Sequence, residues 1–146
     1  MLDRQQTQED LLRAWMDMSV FIRGNRILTD FSFNEIMICG MLFRQEEPLT
    51  ATELCEHTNL LKSQVNHILT GMEKRGFIER VRSTTDKRVI YVHLLEAGQS
   101  AYMKEHARVM EILRAINETL GADKTSELTM LIKQATAVVN NYHRRT

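Results

Sequence analysis

The sequence has 146 residues and a formal net charge of zero, with 43% hydrophobic and 26% charged residues. This composition is typical of one globular domain that buries a core without disulfides or metals. No stretch approaches the roughly 20 apolar residues that a membrane-spanning helix needs. The first ten residues are polar and lack the apolar core of a secretory signal, so we expect a cytoplasmic protein.

The cysteines and the charge distribution narrow the class of protein further. Cys39 and Cys55 form no close pair, which argues against a disulfide framework or a zinc ribbon, and we expect both thiols to be reduced and buried. Residues 57–93 carry 7 basic and 3 acidic side chains, whereas residues 1–56 carry 5 and 10. Positive charge is therefore concentrated in the middle of the chain, although the total is neutral.

Two helices are predicted in the first third of the chain. Apolar side chains recur at spacings of three and four over about residues 5–24, which is the period of one helix face. Ser32 and Glu35 form a capping box, in which each side chain hydrogen-bonds a backbone N–H at a helix start. A second helix is therefore expected from Ser32 to about Arg44.

Two shorter helices follow in close succession. Thr50 and Glu53 repeat the capping box and predict a helix that ends near residue 57. Another helix is expected from Lys62, with apolar side chains on one face. It ends at Gly76, because glycine readily adopts the left-handed conformation that a helix end often needs.

The periodicity then changes from helical to alternating. Apolar residues at 78–81 and 90–94 flank the polar stretch 83–88, which predicts a β-hairpin with a charged tip. Helical spacing returns after residue 98, breaks at Gly121, and resumes in a last helix that Asp123 is placed to cap. The apolar stripe of that helix is about five turns long and usually requires a partner.

Short helix, turn, helix and hairpin follow one another in the order of a winged helix-turn-helix, here about residues 32–94. In that architecture the second helix enters a major groove of DNA. Between Ser63 and Met72 this helix carries no formal charge, and its outer face offers amide, hydroxyl and imidazole groups that can pair with base edges. The predicted DNA-facing side chains of the helix are Ser63, Gln64, Asn66, His67, Thr70 and Lys74.

The predicted hairpin supplies positive charge beside that helix. Cationic side chains release counterions from the phosphate backbone, and a guanidinium at a hairpin tip suits a narrow minor groove. The predicted hairpin contacts to DNA are Arg80, Arg82, Lys87 and Arg88.

Four segments resemble the MarR family of bacterial transcription regulators: LTATEL at 49–54, KSQV at 62–65, MEKRGFIER at 72–80 and DKR at 86–88. The resemblance implies a single MarR-type domain over residues 1–146, mainly α with a small β-hairpin wing. It implies a homodimer whose helices at about 5–24 and 96–142 interlock, acting as a ligand-responsive repressor on a pseudo-palindromic operator. Asp86 would then support the wing by bracing Arg88.

The same resemblance implies a pocket for a small aromatic or anionic effector between the dimer helices and the DNA-binding part. The residues expected to line it are Trp15, Met18, Ile22, Met37 and Met41. Three departures from the family pattern stand out. Leu61 and Leu95 occupy positions where relatives carry helix-capping residues, and Thr70-Gly71 replaces an Asp-Arg pair, so operator preference cannot be transferred.

Other functions leave weaker signals in the sequence. A winged-helix module that docks on a protein partner remains the alternative, although the outer face of the 62–75 helix has no aromatic residue. Catalytic residues, cofactors and metals are not expected, because no catalytic constellation is recognisable and the five histidines are scattered without ligand spacing.

Overall fold

The computed structural model describes residues 4–23, 28 and 30–143, apart from the side chain of residue 143. The elements of this part of the chain are α1 (Arg4–Arg23), α2 (Phe33–Arg44), β1 (Leu49–Thr50), α3 (Ala51–Thr58), α4 (Lys62–Lys74), β2 (Ile78–Arg82), β3 (Ile90–Leu94), α5 (Glu96–Leu120) and α6 (Ala122–His143). The expected fold, mainly helical with a small β wing, is confirmed. The predicted end of the first helix at residue 24 lies outside the described residues.

Both predicted capping boxes are present. At α2, Ser32 N–H donates to Glu35 Oε2 at 2.8 Å, and Glu35 N–H donates to Ser32 Oγ at 3.3 Å. At α3, the same two bonds between Thr50 and Glu53 measure 2.7 and 3.1 Å. Because these bonds satisfy backbone donors that a helix start leaves unpaired, the sequence fixes both helix starts locally.

The turn between α3 and α4 is tight. Asn59 adopts a left-handed conformation with φ of 54°, and Thr58 Oγ1 donates to the Leu54 carbonyl at 2.6 Å. As the sequence predicted, Leu61 supplies no side-chain cap to α4. Gln64 supplies the other half of a capping box, because its Oε1 accepts the Leu61 N–H at 2.9 Å.

The end of α4 is closed by Gly76, whose φ is 74°. Gly76 N–H donates to the Glu73 carbonyl and Phe77 N–H donates to the Met72 carbonyl, both at 3.0 Å. This left-handed ending turns the chain directly into β2, as expected for glycine at this position.

A three-stranded antiparallel sheet contains the hairpin. The strand order is β1-β3-β2, with Leu49 opposite Val92, Ile78 opposite Leu94 and Arg82 opposite Ile90. The hairpin was predicted, but β1 was not. Two residues are too few to show an alternating pattern, so only the pairing with β3 reveals this strand.

The chain divides into two compact units, residues 1–108 and 109–146. In the first unit the core forms between α2, α3, α4 and the sheet, and Tyr102 of α5 joins it. By contrast, no residue of α1 is buried. The largest fully buried apolar side chains are Ile38, Leu54, Leu69, Met72, Ile78, Val65 and Val92.

The second unit contains the end of α5 and all of α6. Gly121, with φ of 80°, separates the two helices as predicted. The expected cap at Asp123 is wrong, because α6 already begins at Ala122 and places Asp123 within its first turn. Thr125 N–H instead donates to the Gly121 carbonyl at 3.0 Å. None of the described helices combines the length and the apolar character that crossing a membrane would require.

Candidate nucleic-acid interface

Helix α4 has one buried face and one exposed polar face. Val65, Leu69 and Met72 are fully buried. Because a helix repeats every 3.6 residues, this anchoring turns the opposite side chains outward. Of the predicted DNA contacts on α4, the exposed ones are Ser63, Gln64, Asn66, His67 and Lys74, and Thr70 is half-buried.

Two polar side chains of α4 are already engaged within the protein. The Gln64 Oε1 caps the helix through the Leu61 N–H, which leaves its Nε2 group as the outward donor. Thr70 Oγ1 donates to the Asn66 carbonyl at 2.8 Å and accepts a hydrogen bond from Arg80 Nη2 at 3.2 Å. Asn66 and His67 therefore offer the less constrained groups of this face.

Arg80 is held against α4 rather than extended into solvent. Its Nη2 and Nε lie 2.7 and 3.1 Å from Glu73 Oε2, and its backbone N–H donates to Glu73 Oε1 at 3.0 Å. The hydrogen bonds from the Arg80 side chain are the main cause of the lowered pKa of the Glu73 carboxyl. This ion pair joins β2 to α4 and neutralises much of the charge that the sequence assigned to a DNA contact.

The tip of the wing, by contrast, presents its cations outward. Lys87 and Arg88 are exposed, and the Arg88 side chain retains 94% of its accessible surface. Asp86 Oδ1 accepts the Arg88 backbone N–H at 3.0 Å and lies 3.8 Å from Arg88 Nε. Arg82 Nη1 donates to the Lys87 carbonyl at 2.8 Å, so it crosses the hairpin near its tip.

A shallow groove of about 350 Å³ runs beside the exposed face of α4. Its lining includes Asn34, the second residue of α2, which the sequence did not single out. Leu61, at the start of α4, was noted in the sequence only for its missing cap, and 70% of its surface is exposed. The position of Asn34 next to α4 becomes visible only in three dimensions, since α2 lies about 30 residues upstream.

Arg75 follows α4 directly, and several neighbouring groups engage its side chain. Its Nη1 donates to the Asp30 carbonyl at 2.8 Å, and its Nη2 forms an ion pair with Glu35. Its guanidinium carbon lies 4.9 Å from the centre of the Phe77 ring. Arg75 had no role assigned from the sequence beyond its place in the segment 72–80.

The candidate effector residues are not gathered into either of the two cavities described in the structure. Trp15, Met18 and Ile22 are exposed on α1. Met37 and Met41 lie half-buried on α2, where Met41 packs against the core. The other described cavity, of about 240 Å³, is instead lined by residues between α2 and the start of α5. The pocket stays a prediction.

Both cysteines are free thiols. Cys39 is fully buried, and burial raises the pKa of its thiol to about 12. Cys55 is half-buried beside the core. Within residues 4–23, 28 and 30–143, no three His, Cys, Asp or Glu side chains are arranged to hold a metal ion.

Similarity searches with the sequence match the segment that contains this interface. Residues 41–90 match the MarR family model, and this range runs from α2 to the first residue of β3. The Homoprotocatechuate degradative operon repressor of Escherichia coli is 29% identical over 89 residues, which is 61% of this chain and 60% of that protein. The HTH-type transcriptional regulator YkoM of Bacillus subtilis is 25% identical over 88% of this chain and 89% of its own length.

Solved structures extend the likeness of the fold to almost the full length. The PcaV regulator of Streptomyces coelicolor, solved with its natural ligand, has a TM-score of 0.76 at 17% identity and covers 95% of this chain and 98% of its own. FabT of Streptococcus pneumoniae, solved with DNA, has a TM-score of 0.74 at 20% identity, with coverage of 96% and 99%. The helix-turn-helix and wing of this chain are thus similar to those of the MarR family over residues 41–90, and they lie in a fold shared with these solved regulators.

Proposed function

We propose that this protein is a homodimeric repressor that binds a pseudo-palindromic operator. The observation that carries the proposal is the exposed polar face of α4, uncharged between residues 63 and 72, beside a wing whose tip projects Lys87 and Arg88. Base edges are read by such polar groups, whereas phosphates are bound by cations. The two kinds of group lie on neighbouring elements, as readout of a groove and its backbone requires.

The contacts divide by chemistry. Asn66, His67 and the Nε2 group of Gln64 can pair with base edges in the major groove, and the exposed Leu61 can contact a thymine methyl group. Arg88, braced by Asp86, would enter the minor groove. The remaining proposed contacts to phosphate or sugar are Ser63, Thr70, Lys74, Arg82 and Lys87. Arg80 would hold the wing on α4 through Glu73.

Dimerisation is supported by apolar surface on the terminal helices. A helix with no buried residue, such as α1, gains little stability from packing within its own chain. Exposed apolar surface on this scale is typical of a protein interface. The exposed large apolar side chains of α1 and α6 include Leu11, Leu12, Trp15, Met16, Val20, Met130, Leu131, Ile132, Val138 and Tyr142.

A small aromatic or anionic effector is the second part of the proposal, with Trp15, Met18, Ile22, Met37 and Met41 as candidate contacts. The ligand-bound PcaV structure supports it by its fold. An effector acts only through its different affinities for the two states of the dimer. Thermal unfolding of the protein with a set of phenolic acids tests this part. A rise in Tm with one acid is expected, and no shift with any of them would contradict the effector proposal.

Fluorescence polarisation with the promoter DNA beside the protein's own gene tests DNA binding. We expect tight binding that weakens steeply with salt, because each bound phosphate releases counterions. Arg88→Ala should lower the slope of log Kd against log salt by about one unit. Arg114→Ala, at an exposed position of α5 outside the proposed interface, is the matched control and should leave the slope unchanged. Absent or salt-independent binding would instead favour a protein-docking module.

A further inference from the structure

The end of α4 is attached to the start of α2 by a group of contacts that we call the Arg75 clamp, consisting of Arg75, Asp30, Glu35 and Phe77. Arg75 donates to the Asp30 carbonyl at 2.8 Å, pairs with Glu35 and lies over the Phe77 ring at 4.9 Å. A planar guanidinium can make these contacts simultaneously, whereas a lysine ammonium cannot. Its side chain is 39% exposed, so most of its surface is occupied by the protein.

The clamp continues to α5 through the backbone of a single residue, Asp30. While the Asp30 carbonyl accepts from Arg75, the Asp30 N–H donates to Glu105 Oε1 at 3.0 Å. Glu105 is fully buried, and its Oε1 also lies 3.1 Å from Arg108 Nη1. Lys104 Nζ lies 3.5 Å from Asp30 Oδ2. Residue 30 is thus fixed on one side to α4 and on the other to α5.

We propose that Arg75 is a positioning residue that sets the orientation of the DNA-reading helix relative to α5, and that it does not itself bind phosphate. The inference rests on the proposed function. A basic residue directly after a recognition helix is otherwise easily interpreted as a phosphate contact. Its two donor contacts to residues 30 and 35, together with the ring beneath it, favour the positioning role. A shift of α5 would then be transmitted to the groove-facing side chains through Asp30.

Glu35→Gln tests the clamp without removing the helix cap. A glutamine oxygen can still accept the Ser32 N–H, but the negative partner of Arg75 is lost. Glu53→Gln is the matched control, because Glu53 has the same place in the capping box of α3 and its described hydrogen bonds are to Thr50. Both variants are compared with wild type by fluorescence polarisation at a temperature where circular dichroism shows each fully folded.

We expect Glu35→Gln to weaken operator binding about fivefold and Glu53→Gln to change it by less than about twofold, with the salt slope unchanged in both. A loss of stability alone would not alter the affinity of fully folded protein. Arg75→Gln should weaken binding further and also preserve the slope. If Arg75→Gln lowers the slope by about one unit, Arg75 binds phosphate and the inference is overturned.

The connection from the Arg75 clamp to α5 through Asp30 is tested by a double-mutant cycle between Glu35→Gln and Glu105→Gln. Glu35 holds Arg75, which donates to the Asp30 carbonyl. Glu105 accepts the Asp30 N–H. Because both residues thereby act on Asp30, their effects on operator affinity should be non-additive by at least about twofold. Additive effects would remove α5 from the proposal. If the wild type binds the operator and Glu35→Gln binds it equally well, the clamp alone is refuted. If the wild type binds no duplex, the proposed function is refuted as well.

Discussion

Arg80→Ala separates the role of Arg80 as a brace from the role of a DNA contact. The substitution removes three side-chain hydrogen bonds, two to Glu73 and one to Thr70, and keeps the backbone bond to Glu73. The pair is partly exposed, at 25% and 37% of the side-chain surface, so solvent screening reduces its contribution. We therefore expect unfolding to become easier by about 1–2 kcal/mol.

Thermal denaturation measures this loss, which corresponds to about 3–6 °C in Tm for a chain of this size. Arg82→Ala is the matched control on the same strand, because Arg82 makes one hydrogen bond to a backbone carbonyl and is exposed. Its Tm should change by less than about 2 °C. In operator binding Arg82→Ala should have the larger effect. It should lower the salt slope by about one unit, whereas Arg80→Ala should leave the slope unchanged.

The brace also predicts a pH dependence. The pKa of Glu73 lies below its ordinary value of 4.5, because Arg80 stabilises the carboxylate. Its contribution is therefore fully present above that ordinary value and is lost as pH falls through the lower pKa of the folded state. The stability difference between wild type and Arg80→Ala should narrow below about pH 4. A lower salt slope with an unchanged Tm in Arg80→Ala would refute the brace.

Two further substitutions and one modification test the packing. Gly98→Ala should destabilise the protein by at least about 2 kcal/mol in denaturant unfolding, since a Cβ there would lie 2.2 Å from the Phe77 carbonyl oxygen. Gly71→Ala, where a Cβ meets nothing within 4 Å, should stabilise it by about 1 kcal/mol, and equal effects at both glycines would contradict this packing. Cys39 should resist alkylation of the native protein at pH 8 and react on unfolding, because burial raises its pKa to about 12; rapid native labelling would show that the site opens.

Local signals in the sequence were sufficient to predict most elements of the winged helix. The capping boxes at Ser32 and Thr50 and the left-handed Gly76 depend on neighbouring residues alone, so they could be predicted. The strand β1 could not, because its two residues acquire a strand conformation only by pairing with β3. The wrong cap at Asp123 shows the limit of such motifs, since α6 begins one residue earlier, at Ala122.

The candidate interface was predicted in composition but not in its internal contacts. The exposed face of α4 followed from the helical period that buries Val65, Leu69 and Met72. The pairing of Arg80 with Glu73 depends on the path of the chain after Gly76, so it could not be read from the sequence. The pairing of Arg75 with Glu35 depends on the packing of α2 against the end of α4. The sequence assigned Arg80 to a DNA contact and gave Arg75 no role, whereas the structure pairs each of them with a glutamate.

Hydroxyl-radical footprinting of the operator tests the central claim most directly. If two copies of α4 enter successive major grooves, the protein should protect two tracts whose centres are about 10 base pairs apart, flanked by wing protection in the minor groove. Asn66→Ala should weaken the protection of both tracts equally, because each tract is covered by the same face of α4 from one of the two protomers. A single protected tract, or none at protein concentrations that saturate binding, would contradict the account.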